Sequence, residues 1–316
     1  MSAAHARRRR SRRAQRQGSR RHPGEHRLLK LSVAFVLLLG ASVMSYQFLR
    51  TSPIGSGVTA KSVDRVSITP PSTTSTTLLD RNPFADPQIQ SFLDSRKGKV
   101  TAALFDVATG RTYVYHPHDR QVTASMVKID LVAALLYKTQ QEHRGLTQWE
   151  DKAARAMITA SNNSMAQPVF LKVGNRDGLA SFNQLLGFTE TTPSWGWGLT
   201  ETTPEDQLVL LKHIALPSSV LSNESQIYER SLMEHVYSSE RFGIPQGVPT
   251  DATVGVKNGW YNEKDTGWQV NSAGYVHRGD TFYLACVETS NNPNEAYGMD
   301  TVSTLGRLLW SYQSAP

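Results

Sequence analysis

From Leu31 to Leu49 the chain reads LSVAFVLLLGASVMSYQFL, 19 residues without a charge between Lys30 and Arg50. A helix needs about 20 predominantly apolar residues to cross the hydrocarbon core of a bilayer. Eleven arginines and lysines precede the run, so the positive-inside bias expects residues 1–30 to be a basic cytoplasmic tail and everything beyond Arg50 to lie outside. The basic stretch is long for a secretory signal, the apolar run exceeds the usual length, and no A-x-A cleavage site follows it. The expectation is a single-pass anchor in the cell membrane. Whatever folds into a water-soluble body must come after it.

Residues 50–82 are rich in Ser, Thr, Pro and Gly, with ITPPSTTSTT at 68–77, and cannot bury enough apolar surface to fold; they read as a tether. The folded part is then 83–316. The formal charge of +7 over the 316 residues misleads, because residues 1–50 hold 12 of the 34 basic side chains and one acid. The remainder carries 22 basic against 26 acidic groups, and no basic patch with aromatic or groove-reading elements points to nucleic acid. One cysteine, Cys286, excludes an internal disulfide and a cysteine-rich metal site; in the apolar stretch YLACV it reads as core. Nine histidines form no H-E-x-x-H or clustered set, and no Walker or Rossmann glycine pattern is present, so neither metal nor cofactor is expected.

Within 83–316 the pattern predicts a helix over 87–97, a strand hairpin over 100–107 and 111–115, and a helix from Ser125 to about Lys138. Helical spacing returns at 150–160, 165–173 and 178–186. Thr203-Pro204-Glu205-Asp206 is a helix start, with a capping Thr, Pro in the first turn and acids at the positive end of the dipole. Strands are expected at 252–256, 269–276 and 281–288, and a closing helix at 299–312. Strands at both ends and helices between them predict an α+β fold, one antiparallel sheet flanked by helices with a helical insert.

Three short motifs carry the chemistry. Ser125-Met126-Val127-Lys128 puts a hydroxyl and an amine on one face of a helix start, where the dipole favours negative charge and the amine can take the serine proton. Ser161-Asn162-Asn163 interrupts the helical pattern and is equally a polar connection. Lys257-Asn258-Gly259 closes the stretch VGVKNGW and is equally a strand-ending turn, since Asn-Gly is a frequent hairpin dipeptide.

Taken in order, the motifs resemble the S-x-x-K, S-D-N and K-T-G signature of the penicillin-recognising serine hydrolases, most closely the class A β-lactamase family. FDVATGRTYVYHPHDRQVTASMVKIDLVAALL (105–136) resembles that family's first hairpin and nucleophile helix, and AMITASNNSMAQ (156–167) its second motif. LTETTPEDQLVLL (199–211) resembles the segment after its omega loop, and GVKNGW (255–260) its third motif. The resemblance implies a five-stranded antiparallel sheet with a reduced all-helical subdomain. It also implies Ser125 as acylated nucleophile, Lys128 as proton acceptor and Ser161 as relay to the leaving nitrogen. Asn163 would hold Lys128 and the substrate amide, and Lys257 would meet the substrate carboxylate. Asn258, Gly259 and Trp260 would bind substrate, with the backbone N–H groups of Ser125 and Trp260 as the oxyanion hole.

Asn162 stands for the family's Asp, Asn258 for its Thr or Ser, and the interval from Ser125 to Ser161 is short. The larger departure is GFTETTPSWGWGLTETT (187–203), about ten residues shorter than the family's omega loop and lacking its E-x-x-L-N pattern. Glu190 and Glu201 are its only carboxylates and the only candidates there for activating a deacylating water; Glu201 abuts the helix start and equally supports the cap. Trp195 and Trp197 line the site or pack in the core. Acylation is well equipped and deacylation poorly equipped, leaving three readings: a weakly deacylating β-lactamase, a D-Ala-D-Ala carboxypeptidase or related hydrolase of peptidoglycan peptides, and a non-catalytic envelope protein that captures β-lactams or muropeptides.

Overall fold

A computed structural model of the chain describes residues 81–264 and 267–315. The expected membrane segment, 31–49, and the tether fall outside the described residues. Among the described residues no helix is long and apolar enough to cross a membrane.

The first hairpin forms where alternation predicted it, β1 (Lys99–Asp106) against β2 (Arg111–Tyr115), and the sheet is completed by β5 (Thr253–Glu263), β6 (Gly267–Arg278) and β7 (Thr281–Asn292). The strand order is β2-β1-β7-β6-β5, with every pairing antiparallel. The central strand β7 is buried without a break from Tyr283 to Ser290, as a strand covered on both faces must be. The last helix, α8 (Glu295–Gln313), packs on β6 and β7, while α6 (Pro204–Ala215) packs on β7 and β1. Cys286 lies in this core, fully buried beside Met126.

Between the two parts of the sheet the chain builds the helical region from α2 (Lys128–Gln141), α3 (Gln148–Thr159), α4 (Asn163–Lys172) and α5 (Asn175–Leu186), with α7 (Asn223–Glu234) completing it. α2 is buried from Lys128 to Leu136, so it runs through the middle of the region and not along its surface. A capping box fixes the start of α3: Thr147 accepts from the Glu150 backbone and Glu150 from that of Thr147. The fully buried Glu150 carboxylate also meets Arg144 at 2.7 Å and Lys172 at 3.2 Å, which hold its pKa down to about 2.

Several boundaries differ from the sequence expectation for identifiable reasons. Lys257-Asn258-Gly259 does not end a strand; pairing continues from Asn258↔Ser272 to Glu263↔Gly267, and Gly259 serves close packing instead of a turn. The closing helix starts at Glu295, capped by the Asn294 side chain on Tyr297 N–H, four residues earlier than its apolar spacing suggests. α7 gave no periodic signal because it buries Ser225, Gln226 and Glu229 and leaves Ile227 exposed.

Candidate active site

Ser125 sits in a tight turn, Ala124–Val127, that leads directly into α2. Ala124 has φ 49°, a left-handed conformation that is uncommon for a residue with a side chain and that concentrates at functional sites. Two contacts hold this strained turn from below. Asn271 on β6 donates through Nδ2 to the Val122 and Thr123 carbonyls at 2.7 and 3.2 Å, while its Oδ1 accepts from Thr289 N–H. On β5, the Cα of Gly259 is so close that a Cβ would stand 2.5 Å from Thr123 O and Met126 N and 2.8 Å from Ser125 N. Only glycine fits there.

Lys128 is the first residue of α2 and fully buried. Its Nζ lies 2.8 Å from Ser125 Oγ, 2.7 Å from Asn163 Oδ1, 2.6 Å from the Ser161 carbonyl and 3.3 Å from Ser161 Oγ. Ser161 lies in the connection between α3 and α4, with φ 51°, and Asn163 is the first residue of α4. Ser161 Oγ in turn accepts from Lys257 Nζ at 2.9 Å, and Lys257 also donates to the Asn258 carbonyl at 2.8 Å. Three separate stretches of chain thus meet in one hydrogen-bonded group.

Burial lowers the Lys128 pKa to about 7, with the neighbouring Lys257 charge acting in the same sense and Glu240 opposing both. Lys257, also fully buried, is lowered to about 8 by burial. Lys128 can therefore exist as a neutral amine near neutral pH, the state needed to accept a proton from a serine.

The group opens into a cavity of about 290 Å³ lined by Ser125, Asn163, Trp197, Leu199, Trp260 and Tyr261, together with small residues. No charged side chain is in its lining. Trp197 thus lines the site, whereas Trp195 is 62% exposed and carries the Arg176 guanidinium over its ring at 4.7 Å, so it neither lines the cavity nor packs in the core.

Asn258 is brought near but not into the cavity. It is fully buried and its Nδ2 donates to the Glu240 and Phe242 carbonyls at 2.8 and 2.9 Å, so both of its donors are spent inside the fold and neither faces a ligand. Glu190 and Glu201 are not brought to the site either. Glu190 meets His118 Nδ1 at 2.9 Å, and Glu201, in the two-residue strand β4 (Glu201–Thr202) paired with β3 (Gln121–Val122), reaches Arg120 at 3.0 Å. Among the described residues no carboxylate hydrogen-bonds Ser125, Lys128, Ser161 or Asn163, and no group of three or more His, Cys, Asp or Glu side chains could hold a metal ion.

Two positioning residues escaped the sequence reading. Asn271 lies in an ordinary-looking strand, and nothing in its neighbours betrays its role. Asp206 was legible only as a helix-start acid, yet its buried carboxylate accepts from the backbone N–H groups of Thr189, Glu190 and Thr191 and from the Thr191 hydroxyl, pinning the shortened loop to α6.

Comparison with known proteins bears on the fold and the family. A family model described as "Beta-lactamase enzyme family" matches residues 151–313, a stretch that holds Ser161, Asn163 and Lys257. A class A β-lactamase from Bacteroides cellulosilyticus superposes with a TM-score of 0.64 at 17% identity, covering 71% of this chain and 95% of that one. A β-lactamase from Xanthomonas campestris gives 0.63 at 17% identity, over 71% and 95%. A mutant of the reconstructed class A enzyme of the last common ancestor of Gram-negative bacteria gives 0.62 at 21% identity, over 71% and 97%. No curated protein matches the chain. At these identities the superpositions speak for the fold, a five-stranded antiparallel sheet with its helical region. The family model covers more than half of the sequence, and on that ground the chain belongs to the β-lactamase enzyme family, as a β-lactamase-like serine hydrolase.

Proposed function

We propose that this protein is a membrane-anchored, extracytoplasmic serine hydrolase that β-lactams acylate on Ser125 and that releases the acyl group slowly. Neutral Lys128 takes the Ser125 proton as Oγ attacks the lactam carbonyl. The oxyanion is met by the backbone N–H groups of Ser125 and Trp260, a contribution of about 3–4 kcal/mol in enzymes of this kind. Ser161, hydrogen-bonded to both lysines, passes the proton to the leaving nitrogen as the ring C–N bond breaks. Asn163 keeps Lys128 in place and has its amide N–H₂ left for the substrate. Lys257, cationic below about pH 8, attracts the substrate carboxylate, a role that falls to it without help from the Asn258 side chain.

The observation that carries this reading is the 2.8 Å contact between Ser125 Oγ and a buried lysine whose pKa has fallen to about 7. Slow release follows from the positions of Glu190 and Glu201, both engaged elsewhere. Nitrocefin tests it: a stoichiometric burst followed by slow steady-state turnover is expected, and fast turnover without a burst contradicts it. A peptide ending in D-Ala-D-Ala offers the same carbonyl and carboxylate to Ser125 and Lys257, which supports this as a second reading. Release of D-alanine from such a peptide distinguishes it.

A further inference from the structure

The segment that replaces a carboxylate-bearing loop puts an indole against the catalytic lysine. A lysine ammonium has three donors, and the Ser161 carbonyl, Asn163 Oδ1 and Ser125 Oγ take all three within 2.8 Å. The ring of Trp197 covers the same nitrogen, its centroid 5.1 Å from Nζ. The indole is held there by a tight turn, Trp197–Leu199, closed by Leu199 N–H on the Gly196 carbonyl at 2.7 Å and Thr200 N–H on that of Trp197 at 3.2 Å. The turn is stitched to the nucleophile segment through Thr123 N–H on the Thr200 carbonyl at 2.8 Å, two residues before Ser125.

We propose that Trp197 is a positioning residue that sets the lifetime of the acyl-enzyme by denying water a place on Lys128. Once Ser125 is acylated its hydroxyl proton is gone and Lys128 regains a site for a new partner. A water there would hydrolyse the ester: its oxygen bonds the acyl carbon, the bond to Ser125 Oγ breaks, and the water proton passes through Lys128 to Ser125 Oγ. Neutral Lys128 is competent as that base, so the obstacle is access and not pKa. The indole occupies the approach, and it does so with an apolar face that offers water no anchoring oxygen.

This inference rests on the acylation of Ser125 proposed above, and two measurements keep the claims apart. The first follows the benzylpenicillin adduct by intact-protein mass spectrometry after removal of free drug, in wild type, Trp197→Ala and Trp197→Phe. The Ala variant is expected to lose its adduct roughly a hundredfold faster, the lower end of what general-base assistance contributes. Phe, which restores a ring over the lysine, is expected to return the lifetime close to wild type. An Ala variant that acylates normally and holds its adduct as long as wild type overturns the proposal. Where Trp197→Ala does not fold, Trp197→Ser carries the same expectation. The second measurement needs no β-lactam: acetic anhydride labelling with peptide mapping is expected to find Lys128 protected in wild type and Trp197→Phe and modified in Trp197→Ala. Equal protection in all three overturns the cover, whether or not Ser125 is acylated; absence of any wild-type adduct overturns the acylation reading alone.

Discussion

Ser161 Oγ stands 2.9 Å from Lys257 Nζ, although 96 residues separate the two in sequence. The same hydroxyl lies 3.3 Å from Lys128 Nζ, so one small side chain bridges two buried lysines. Neither lysine can be understood without the other: the charge of Lys257 helps to keep Lys128 deprotonated, and burial lowers both.

A bell-shaped pH dependence of acylation follows from the proposed mechanism, on which the two lysines have opposite requirements. Lys128 must be neutral to accept the Ser125 proton, so the rate is expected to rise with pH through about 7. Lys257 must be charged to attract a carboxylate, so the rate is expected to fall above about 8. The two limbs belong to the coupled pair. Lys257→Arg, whose guanidinium stays protonated, is expected to lose the falling limb while keeping the rising one. Stopped-flow acylation with nitrocefin across pH 5.5–9.5 (about one and a half units beyond each limb) measures both; a flat profile contradicts the roles given to the two lysines.

Gly259→Ala tests the close approach of β5 to the nucleophile turn. The added Cβ would press on backbone atoms of Thr123, Ser125 and Met126, which cannot move aside as a side-chain tip can. The acylation rate is expected to drop about a hundredfold, as small misplacements of reacting groups do. The far-ultraviolet circular dichroism should stay native, because the strand pairing of β5 with β6 does not depend on this side chain.

Asp206→Ala removes the carboxylate to which the backbone of residues 189–191 is tied. Three backbone N–H groups then lose their carboxylate acceptor, and a stability loss of about 2–3 kcal/mol is expected in urea unfolding. Proteolysis is expected to begin within 187–203. Loss of stability without new cleavage there would show that Asp206 holds α6 and not the loop.

Much of this was visible in the amino-acid order, and what was not visible has a common cause. The hairpin of β1 and β2 and the core strand β7 follow from alternation and from a continuous apolar run, which depend on near neighbours alone. The S-x-x-K pair is likewise local, and its spacing placed Ser125 and Lys128 together. Lys257-Asn258-Gly259 was ambiguous because a turn and a tightly packed strand both favour Asn-Gly; only the proximity of Thr123 and Ser125 decides between them. Asn271, Asp206 and the covering position of Trp197 are long-range facts, and α7 hides its inner face behind Gln226 and Glu229. The Asn258 side chain went astray for the same reason: its donors are claimed by Glu240 and Phe242, about sixteen residues away in sequence and not inferable from the motif.

A pH dependence of stability, separate from that of acylation, is expected from Asp130 and Glu229. Both are buried, and Asp130 Oδ1 and both Glu229 carboxylate oxygens have no hydrogen-bond partner. Burial raises Asp130 to about 8, with Asp206 adding to the shift and Asn183 opposing it; burial and the nearby Asp130 raise Glu229 as well. The folded state therefore holds protons that the unfolded chain releases near pH 4, and stability is expected to fall as pH rises from about 4 to about 8. Each proton contributes a slope of at most about 1.4 kcal/mol per pH unit. Asp130→Asn should flatten the dependence, as read from urea midpoints at pH 5 and 8 (roughly the two ends of the window).

The account stands most directly on the mass of the intact protein after brief exposure to benzylpenicillin. It predicts one added drug mass per chain, mapped by peptide digestion to Ser125, persisting after the free drug is removed and absent from Ser125→Ala. No added mass in the wild type, or equal addition to Ser125→Ala, would contradict it.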